Sequence, residues 1–308
     1  MSTVNPIFPH GGWDVHHHIF DPSQFSYAAD RHLTPPAATV AQFLAFKASI
    51  GATHSVLTHG LSYGSDCEPL LTFLRQLGST STKGIGVIDP ETTSDSAIQE
   101  MHAAGVRGIR INLYKDHAMH DLELQKRSLQ RHAERIKVFP GWTMAFTHTH
   151  PEFWQHLRPV IETHVAGNSI RLVTDHFALL TGRSMLPPSC DGDVTRQPGF
   201  AAIISLVRDG LLWVKLSAPY RVSEMKPDYQ DLEPVVRALV DANPERVLWG
   251  SDWPHTPRMI VRTPEEAAVE TPYLNVDDMA WLRRLRGWLS DDEWDLMVRV
   301  NPSRLYDW

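Results

Sequence analysis

Short apolar runs recur along the chain, and segments with a helical spacing of apolar residues lie between them. Most runs are rich in Val, Ile and Leu, which is typical of parallel strands that are buried on both faces. Eight runs fit this description: Trp13–His18, Ser55–His59, Gly84–Asp89, Val106–Tyr114, Thr143–His148, Ile170–His176, Leu212–Ser217 and Val247–Asp252. The pattern predicts eight short strands that alternate with helices.

The segments between the runs carry the start and stop signals of helices. After the third run, Asp95 or Ser96 offers a side-chain oxygen to the free amides of a first helical turn. Gly105 then supplies a left-handed stop before the fourth run. The helical spacing of Ala41–Ile50 ends at Gly51 in the same way.

Eight strands alternating with helices over 308 residues predict an α/β fold. The expected architecture is a (β/α)8 TIM barrel of the amidohydrolase type, formed by residues 1–308 as a single domain. A doubly wound open sheet is the alternative, although no Gly-rich dinucleotide turn follows the first strand. The polar segment Ser184–Pro198 is expected either to cover an active site or to be an ordinary surface insertion.

Composition and charge narrow the class of protein. The net charge is −7 and no run of Lys and Arg occurs, which argues against a nucleic-acid partner. Cys67 and Cys190 share no metal-type spacing, so a reduced, cytoplasmic protein is expected. Neither a signal-like start nor an apolar stretch of about 18 residues occurs, so no membrane partner is expected. A small anionic substrate stays compatible with this charge, and the oligomeric state is open.

Candidate chemistry lies at the ends of the first, sixth and eighth runs. Because side chains alternate faces along a strand, His16 and His18 share one face with Asp14. By the same rule, His176 faces the barrel interior with Asp175 opposed to it, and Asp252 faces inward at the end of the eighth run. The active site of such a barrel lies at these strand ends.

Burying several imidazoles and a carboxylate at one place costs free energy, so their shared position needs a chemical explanation. His16, His18 and Asp252, with His148 or His176, could bind one divalent metal such as zinc, which activates water. Alternatively, protonated histidines could polarise a carbonyl without a metal while Asp252 acts as general base. The third interpretation makes each histidine a hydrogen-bonded polar core residue.

Two arginines and two further histidines extend this candidate site. Arg110 points into the barrel if Ile109 packs on a helix, and its guanidinium could anchor a substrate carboxylate or pair with a buried aspartate. Arg221, on a loop past the seventh run, could do the same or be a surface charge. His148 could ligate a metal or line the substrate site, and His59 could line it or be structural.

Several motifs resemble one known family. They are Asp14-Val-His-His-His-Ile-Phe-Asp-Pro22, Ser26-Tyr-Ala28, Tyr63-Gly-Ser-Asp66, Ala104-Gly-Val-Arg-Gly-Ile-Arg-Ile-Asn112, Thr174-Asp-His176, Leu248-Trp-Gly-Ser-Asp-Trp-Pro-His255 and Asn301-Pro-Ser-Arg-Leu-Tyr306. Together they resemble the amidohydrolase-2 family of predicted metal-dependent hydrolases. The similarity is greatest to the branch that contains 2-pyrone-4,6-dicarboxylate lactonase.

The resemblance implies roles for the residues that match. His16, His18 and His176 would bind or polarise a substrate carbonyl, and Asp252 would take a proton from the attacking water. Arg110 and Arg221 match positions that hold substrate carboxylates, and Tyr63 is expected at the substrate site. The lactonase branch works without a metal, whereas other branches use zinc, so both routes stay open. Nothing clearly fills the bridging position of a two-metal centre.

The chain departs from the pyrone lactonase pattern at three positions that grip the dicarboxylate. Leu33 and Thr147 stand about where that pattern has tyrosines, and Asp116 stands about where it has a second arginine. An aspartate is expected to repel a second carboxylate. The substrate should therefore differ from the pyrone dicarboxylate while the catalytic residues are retained.

These observations predict a hydrolase that opens a lactone or similar cyclic ester of a small organic acid. The first alternative is a metal-dependent decarboxylase of an aromatic or unsaturated acid. The second is a catalytically silent barrel that binds a ligand.

Overall fold

Eight parallel strands lie side by side in chain order in the computed structural model, which describes residues 7–147, 150–258, 260 and 262–306. The strands are β1 (Trp13–His17), β2 (His54–Thr58), β3 (Thr82–Gly86), β4 (Val106–Arg110), β5 (Thr143–Ala145), β6 (Arg171–Thr174), β7 (Trp213–Leu216) and β8 (Val247–Trp249). Between β8 and β1, the His18 amide donates to the Trp253 carbonyl and the Asp252 amide to the His16 carbonyl, both at 2.8 Å. The prediction of a (β/α)8 barrel is confirmed.

Helices connect the strands and cover the outside of the barrel. They are α1 (Val40–Ile50), α2 (Glu68–Leu77), α3 (Asp95–Ala103), α4 (Leu122–Ile136), α5 (Trp154–Val160), α6 (Phe200–Arg208), α7 (Glu233–Ala242), α8 (Pro264–Ala268), α9 (Asp278–Gly287), α10 (Asp291–Asp295) and α11 (Asn301–Tyr306). Across the described part of the chain, no helix is both long and apolar enough to cross a membrane.

The predicted helix boundaries hold with one correction. α1 ends at Gly51, whose φ of 85° is the left-handed stop expected there. The first turn of α3 is capped by Ser94, which accepts from the Ala97 amide, and not by Asp95 or Ser96. The strands are shorter than predicted at their carboxyl ends, because the chain turns there to form the loops around the site.

The first strand contains one extra residue that breaks the expected alternation of faces. Asp14 pairs with Ser55 and His17 with Leu57, so three steps along β1 match two steps along β2. This bulge separates Asp14 from His16, and the prediction that they share a face is wrong. Asp14 accepts from the Ser251 amide at 2.9 Å and from its hydroxyl at 2.6 Å.

Gly250, directly after β8, makes room for the bulged backbone. A Cβ atom at Gly250 would lie 2.6 Å from the His16 Cβ and 2.8 Å from the His16 nitrogen. Atoms of this kind do not approach so closely, so any side chain at residue 250 must displace His16. The position of this histidine therefore depends on a glycine next to the neighbouring strand.

We expect Gly250→Ala to lower the free energy of unfolding by about 1–3 kcal/mol, because the added methyl group overpacks the contact between β8 and β1. Urea denaturation measures the change. Gly287→Ala is the matched control, since a Cβ there meets no atom within 4 Å, and it should leave stability unchanged or slightly higher. Equal stability of Gly250→Ala and wild type would show that β1 does not need this glycine.

Candidate active site

A cavity of about 490 Å³ opens at the carboxyl ends of the strands. Its floor is formed by residues at or next to the strand ends, and its upper part by residues of the loops that follow. The floor includes His16, His18, Arg110, Asp175, His176 and Asp252. The structure therefore brings together the histidines, the aspartate and the first arginine that the sequence singled out.

The Asp252 carboxylate lies between two groups of side chains. Its Oδ1 atom is 3.3 Å from His16 Nε2 and 3.6 Å from His18 Nε2. Its Oδ2 atom accepts from the Tyr220 hydroxyl at 2.5 Å and from Arg221 Nη2 at 3.1 Å. Burial alone would raise the pKa of Asp252, but the Arg221 guanidinium and the neighbouring histidines hold it well below its usual range.

A left-handed turn follows β6 and brings two consecutive residues to the cavity. Four consecutive residues have φ angles between 54° and 61°, where non-glycine residues are strained: His176, Phe177, Ala178 and Leu179. Asp175 and His176 both line the cavity as a result. The prediction that Asp175 faces away from the site is wrong, because it assumed that the strand continues to His176.

Lys215 on β7 is fully buried beneath the histidines. Its Nζ atom lies 3.1 Å from Asp175 Oδ1 and 3.2 Å from His16 Nδ1. The ammonium group has only donors and favours an unprotonated Nδ1 on His16, whereas the Asp175 carboxylate, 3.1 Å from the same nitrogen, favours a protonated one. Both groups therefore fix the position of the imidazole ring.

Fixed neighbours also contact the other two histidines. His18 Nδ1 lies 2.8 Å from the Thr58 carbonyl, which can only accept, so the lone pair of this imidazole is on Nε2. The Ser217 hydroxyl accepts from the His176 amide at 3.1 Å and lies 2.9 Å from His176 Nδ1. This hydroxyl still has its proton and a second lone pair, and if it donates to Nδ1, the proton of His176 is on Nε2.

Burial lowers the pKa of two histidines on the cavity floor, His18 and His176. The pKa falls to about 4 for His18 and to about 3 for His176. These two imidazoles are therefore neutral at pH 7, which argues against their polarising a carbonyl as protonated cations. A neutral imidazole can still donate one hydrogen bond or accept one.

Arg110 extends into the cavity from the end of β4. Its Nη1 atom donates to the His59 carbonyl at 3.4 Å, and among the described residues no carboxylate lies within 4 Å of it. Burial lowers the pKa of Arg110, and the repulsion from Arg221 adds to this effect. Two guanidinium groups near each other beside Asp252 can hold an anionic group of a ligand.

Other predicted residues lie elsewhere. The Tyr63 hydroxyl accepts from the Asp21 amide at 2.8 Å and its ring packs on Phe20, outside the cavity lining. The His59 ring points to the Gly64 carbonyl at 3.0 Å, so His59 supports Arg110 through its backbone oxygen. His148 lies outside the described residues.

Three residues of the site were not predicted from the sequence: Lys215, Ser217 and Tyr220. A lysine within the apolar run Leu212–Ser217 is itself a signal, since a buried charge needs a partner. Ser217 lies two residues further along the same run and shares the face of Lys215. Tyr220 stands on a loop, and its contact with Asp252 has no local signal in the sequence.

The three residues expected to depart from the family pattern do not lie together. Leu33 and Thr147 line the cavity, whereas Asp116 lies outside it and accepts from the Ser128 hydroxyl at 3.1 Å. Direct repulsion of a ligand by Asp116 is therefore not supported. Of the segment Ser184–Pro198, Met185 lines the cavity.

Two groups of side chains have the spacing of metal ligands: His16, His18 and Asp252, and His16, Asp175 and His176. The first group fits a cation, because the His18 lone pair faces the Asp252 carboxylate and one side is open to the cavity. The second does not, because the Lys215 ammonium already lies 3.1 Å from Asp175. His16 can bind a metal through Nε2 only if its proton is on Nδ1, and that nitrogen lies 3.1 Å from Asp175 Oδ1.

Comparison with known proteins gives consistent results. The 2-pyrone-4,6-dicarboxylate hydrolase of Comamonas testosteroni is 30% identical over 260 residues, which cover 80% of this chain and 78% of the relative. The 4-sulfomuconolactone hydrolase of Hydrogenophaga intermedia is 27% identical, covering 82% and 78%. The D-galactarolactone isomerase of Agrobacterium fabrum is 26% identical, covering 99% and 94%.

A solved structure from Agrobacterium tumefaciens superimposes with a TM-score of 0.73 at 24% identity, covering 99% of this chain and 98% of the other, and supports the same fold. A family model described as Amidohydrolase matches residues 13–308. This match confirms the family that the sequence motifs indicated. The chain is therefore an enzyme of the amidohydrolase family.

Proposed function

We propose that this enzyme hydrolyses a lactone, or a similar cyclic ester, of a small organic acid. The observation that carries the proposal is the Asp252 carboxylate, held ionised at the cavity floor beside the bare Nε2 atom of His18. The relatives named as hydrolases of a pyrone dicarboxylate and of a sulfomuconolactone support this class of reaction. An anionic group of the substrate would bind Arg110 and Arg221.

The floor offers two acceptors for one water molecule. Asp252 Oδ1 and His18 Nε2 are 3.6 Å apart, and neither has a proton to give the other. A water that donates to both would have its lone pairs free to attack a carbonyl carbon. As the new C–O bond forms, Asp252 accepts the proton, and it is then available to protonate the leaving ring oxygen.

The carbonyl oxygen needs donors as it gains negative charge. With the Ser217 hydroxyl donating to Nδ1, His176 carries its proton on Nε2, and this N–H is a neutral donor at the cavity floor. Lys215, buried behind His16 and Asp175, adds a positive charge without contacting the substrate. Collapse of the tetrahedral intermediate breaks the ring C–O bond and yields one carboxylate and one hydroxyl group.

His16, His18 and Asp252 would hold a zinc ion if one is bound. When bound, such an ion supplies positive charge that polarises a carbonyl and acidifies water. The same residues then orient the site, and Arg110 and Arg221 keep their role of holding the anionic group. The proposed reaction class is the same with and without the ion.

Asp252→Asn should lower kcat for lactone opening by roughly 100- to 10,000-fold, because the amide cannot accept the proton of water. A pH-stat assay with 2-pyrone-6-carboxylate and related lactones measures one proton released per ring opened, while carbon dioxide is monitored in parallel. Asp116→Asn is the control, since Asp116 lies just outside the cavity. Full activity of Asp252→Asn would refute its role as base, and carbon dioxide release would indicate a decarboxylase.

Ser217→Ala should lower kcat about tenfold with little change in KM, because His176 loses the partner that keeps its proton on Nε2. Ser217→Thr keeps the hydroxyl and should restore most of the loss. If the alanine and threonine variants are equally impaired, packing and not the hydroxyl explains the effect.

The pH profile should reflect the strongly stabilised Asp252 carboxylate. Because its pKa lies well below the usual range and that of His18 is about 4, kcat/KM should stay level from pH 8 down to about pH 5. It should then fall in more acidic solution, as these acceptors become protonated. Rates from brief pH jumps avoid acid unfolding, and a falling limb near pH 6 would contradict this picture.

A further inference from the structure

The upper part of the cavity carries an apolar surface beside its polar lining residues, in contrast to the charged floor. Six side chains from four loops form this surface, which we call the apolar wall: Leu33, Leu113, Met119, Leu179, Met185 and Ile260. They follow β1, β4, β6 and β8, so they surround the mouth from several sides. A ligand whose reactive group reaches the floor must pass its remaining part along this wall.

The positive charges of the cavity account for a single anionic group. The cations among its described lining residues are Arg110, Arg221 and Arg258. Arg221 already contacts Asp252 at 3.1 Å, and the exposed Arg258 donates to the Arg221 backbone carbonyl. Neither Arg110 nor Arg258 has a carboxylate within 4 Å in the described part of the chain, but Arg258 is exposed, where water screens its charge. Arg110 is therefore the cation best placed to bind an anionic group near the floor. Arg258 lies at the edge of the apolar wall, since its Nη2 atom is 3.3 Å from Met185 Sδ.

Neutral polar residues near the wall do not change this balance. His32 lines the cavity, but burial lowers its pKa to about 4, so its imidazole is uncharged at neutral pH. A second carboxylate on the ligand would lose its hydration at the wall without gaining a charged partner, which is unfavourable. An alkyl or aryl group would gain by leaving water there.

We propose that the substrate is a lactone with one anionic group and an apolar substituent that packs on the apolar wall. The inference rests on the proposed lactone hydrolysis for the reacting ring, but the wall and the arginines select the rest of the molecule. The anionic group binds at Arg110 and Arg221 near the floor. The alkyl or aryl substituent extends between Met119, Met185 and the loop leucines towards the mouth.

Binding of stable ring analogues tests this selectivity separately from turnover. Benzoate, 3-butylbenzoate and isophthalate share one ring and one carboxylate but differ in the second substituent. In titration calorimetry with the wild-type enzyme, we expect 3-butylbenzoate to bind about tenfold more tightly than benzoate or better. Isophthalate, with its second carboxylate, should bind more weakly than benzoate.

A pair of methionine variants shows whether the gain comes from the wall. Met185→Gln keeps the length of the side chain and an acceptor for Arg258 but makes the wall polar, so it should reduce the ratio of benzoate to 3-butylbenzoate Kd at least threefold. Met225→Gln is the matched control, because Met225 is exposed and lies outside the cavity lining. It should leave the ratio as in wild type.

Three results would overturn the inference: tightest binding of isophthalate, no gain from the butyl group, or an equal effect of the two methionine variants. Failure of the proposed reaction would give a different set of results. In that case no lactone is opened, while the order of the three Kd values still reports on the wall.

Discussion

A row of buried charges crosses the floor of the barrel and holds the site in place. It runs from Lys215 through Asp175, His16 and Asp252 to Arg221, with successive contacts of 3.1, 3.1, 3.3 and 3.1 Å. Two cations and two carboxylates balance one another, so no net charge is buried. Removing one member would leave another charge without a partner, at a cost of about 3–5 kcal/mol. The row therefore fixes the orientation of Asp252 before any ligand binds.

Two irregular pieces of backbone deliver side chains to this row. The bulge in β1 turns His16 inward and needs Gly250 beside it. The left-handed turn after β6 presents Asp175 and His176 together, although each left-handed non-glycine residue costs about 1–2 kcal/mol. Strain of this kind persists where the surrounding packing imposes it, and it is concentrated at functional sites.

In the proposed function, the floor of the cavity carries out the reaction and its upper part selects the substrate. Strand ends supply the floor, where position is set by the hydrogen-bonded sheet, and loops supply the apolar wall. Loops tolerate substitution more easily than strands. A family can therefore keep its reaction while its members change substrate, which agrees with the retained His16, His18 and Asp252 beside the altered Leu33 and Thr147.

The sequence by itself determined the eight strands, their order and the inward position of His18, Arg110 and Asp252. These features follow from local apolar runs and from the alternation of side chains along a strand, which neighbouring residues suffice to specify. Membership of the amidohydrolase family was also evident from motifs alone.

Only the tertiary structure decided the inward position of Asp175, the separation of Asp14 from the site and the burial of Lys215 against His16. The first two depend on a turn and a bulge that apolar patterning does not encode. The third joins residues from β1, β6 and β7, which are far apart in sequence. The tautomer of His18 was likewise beyond sequence, because the Thr58 carbonyl on β2 selects it.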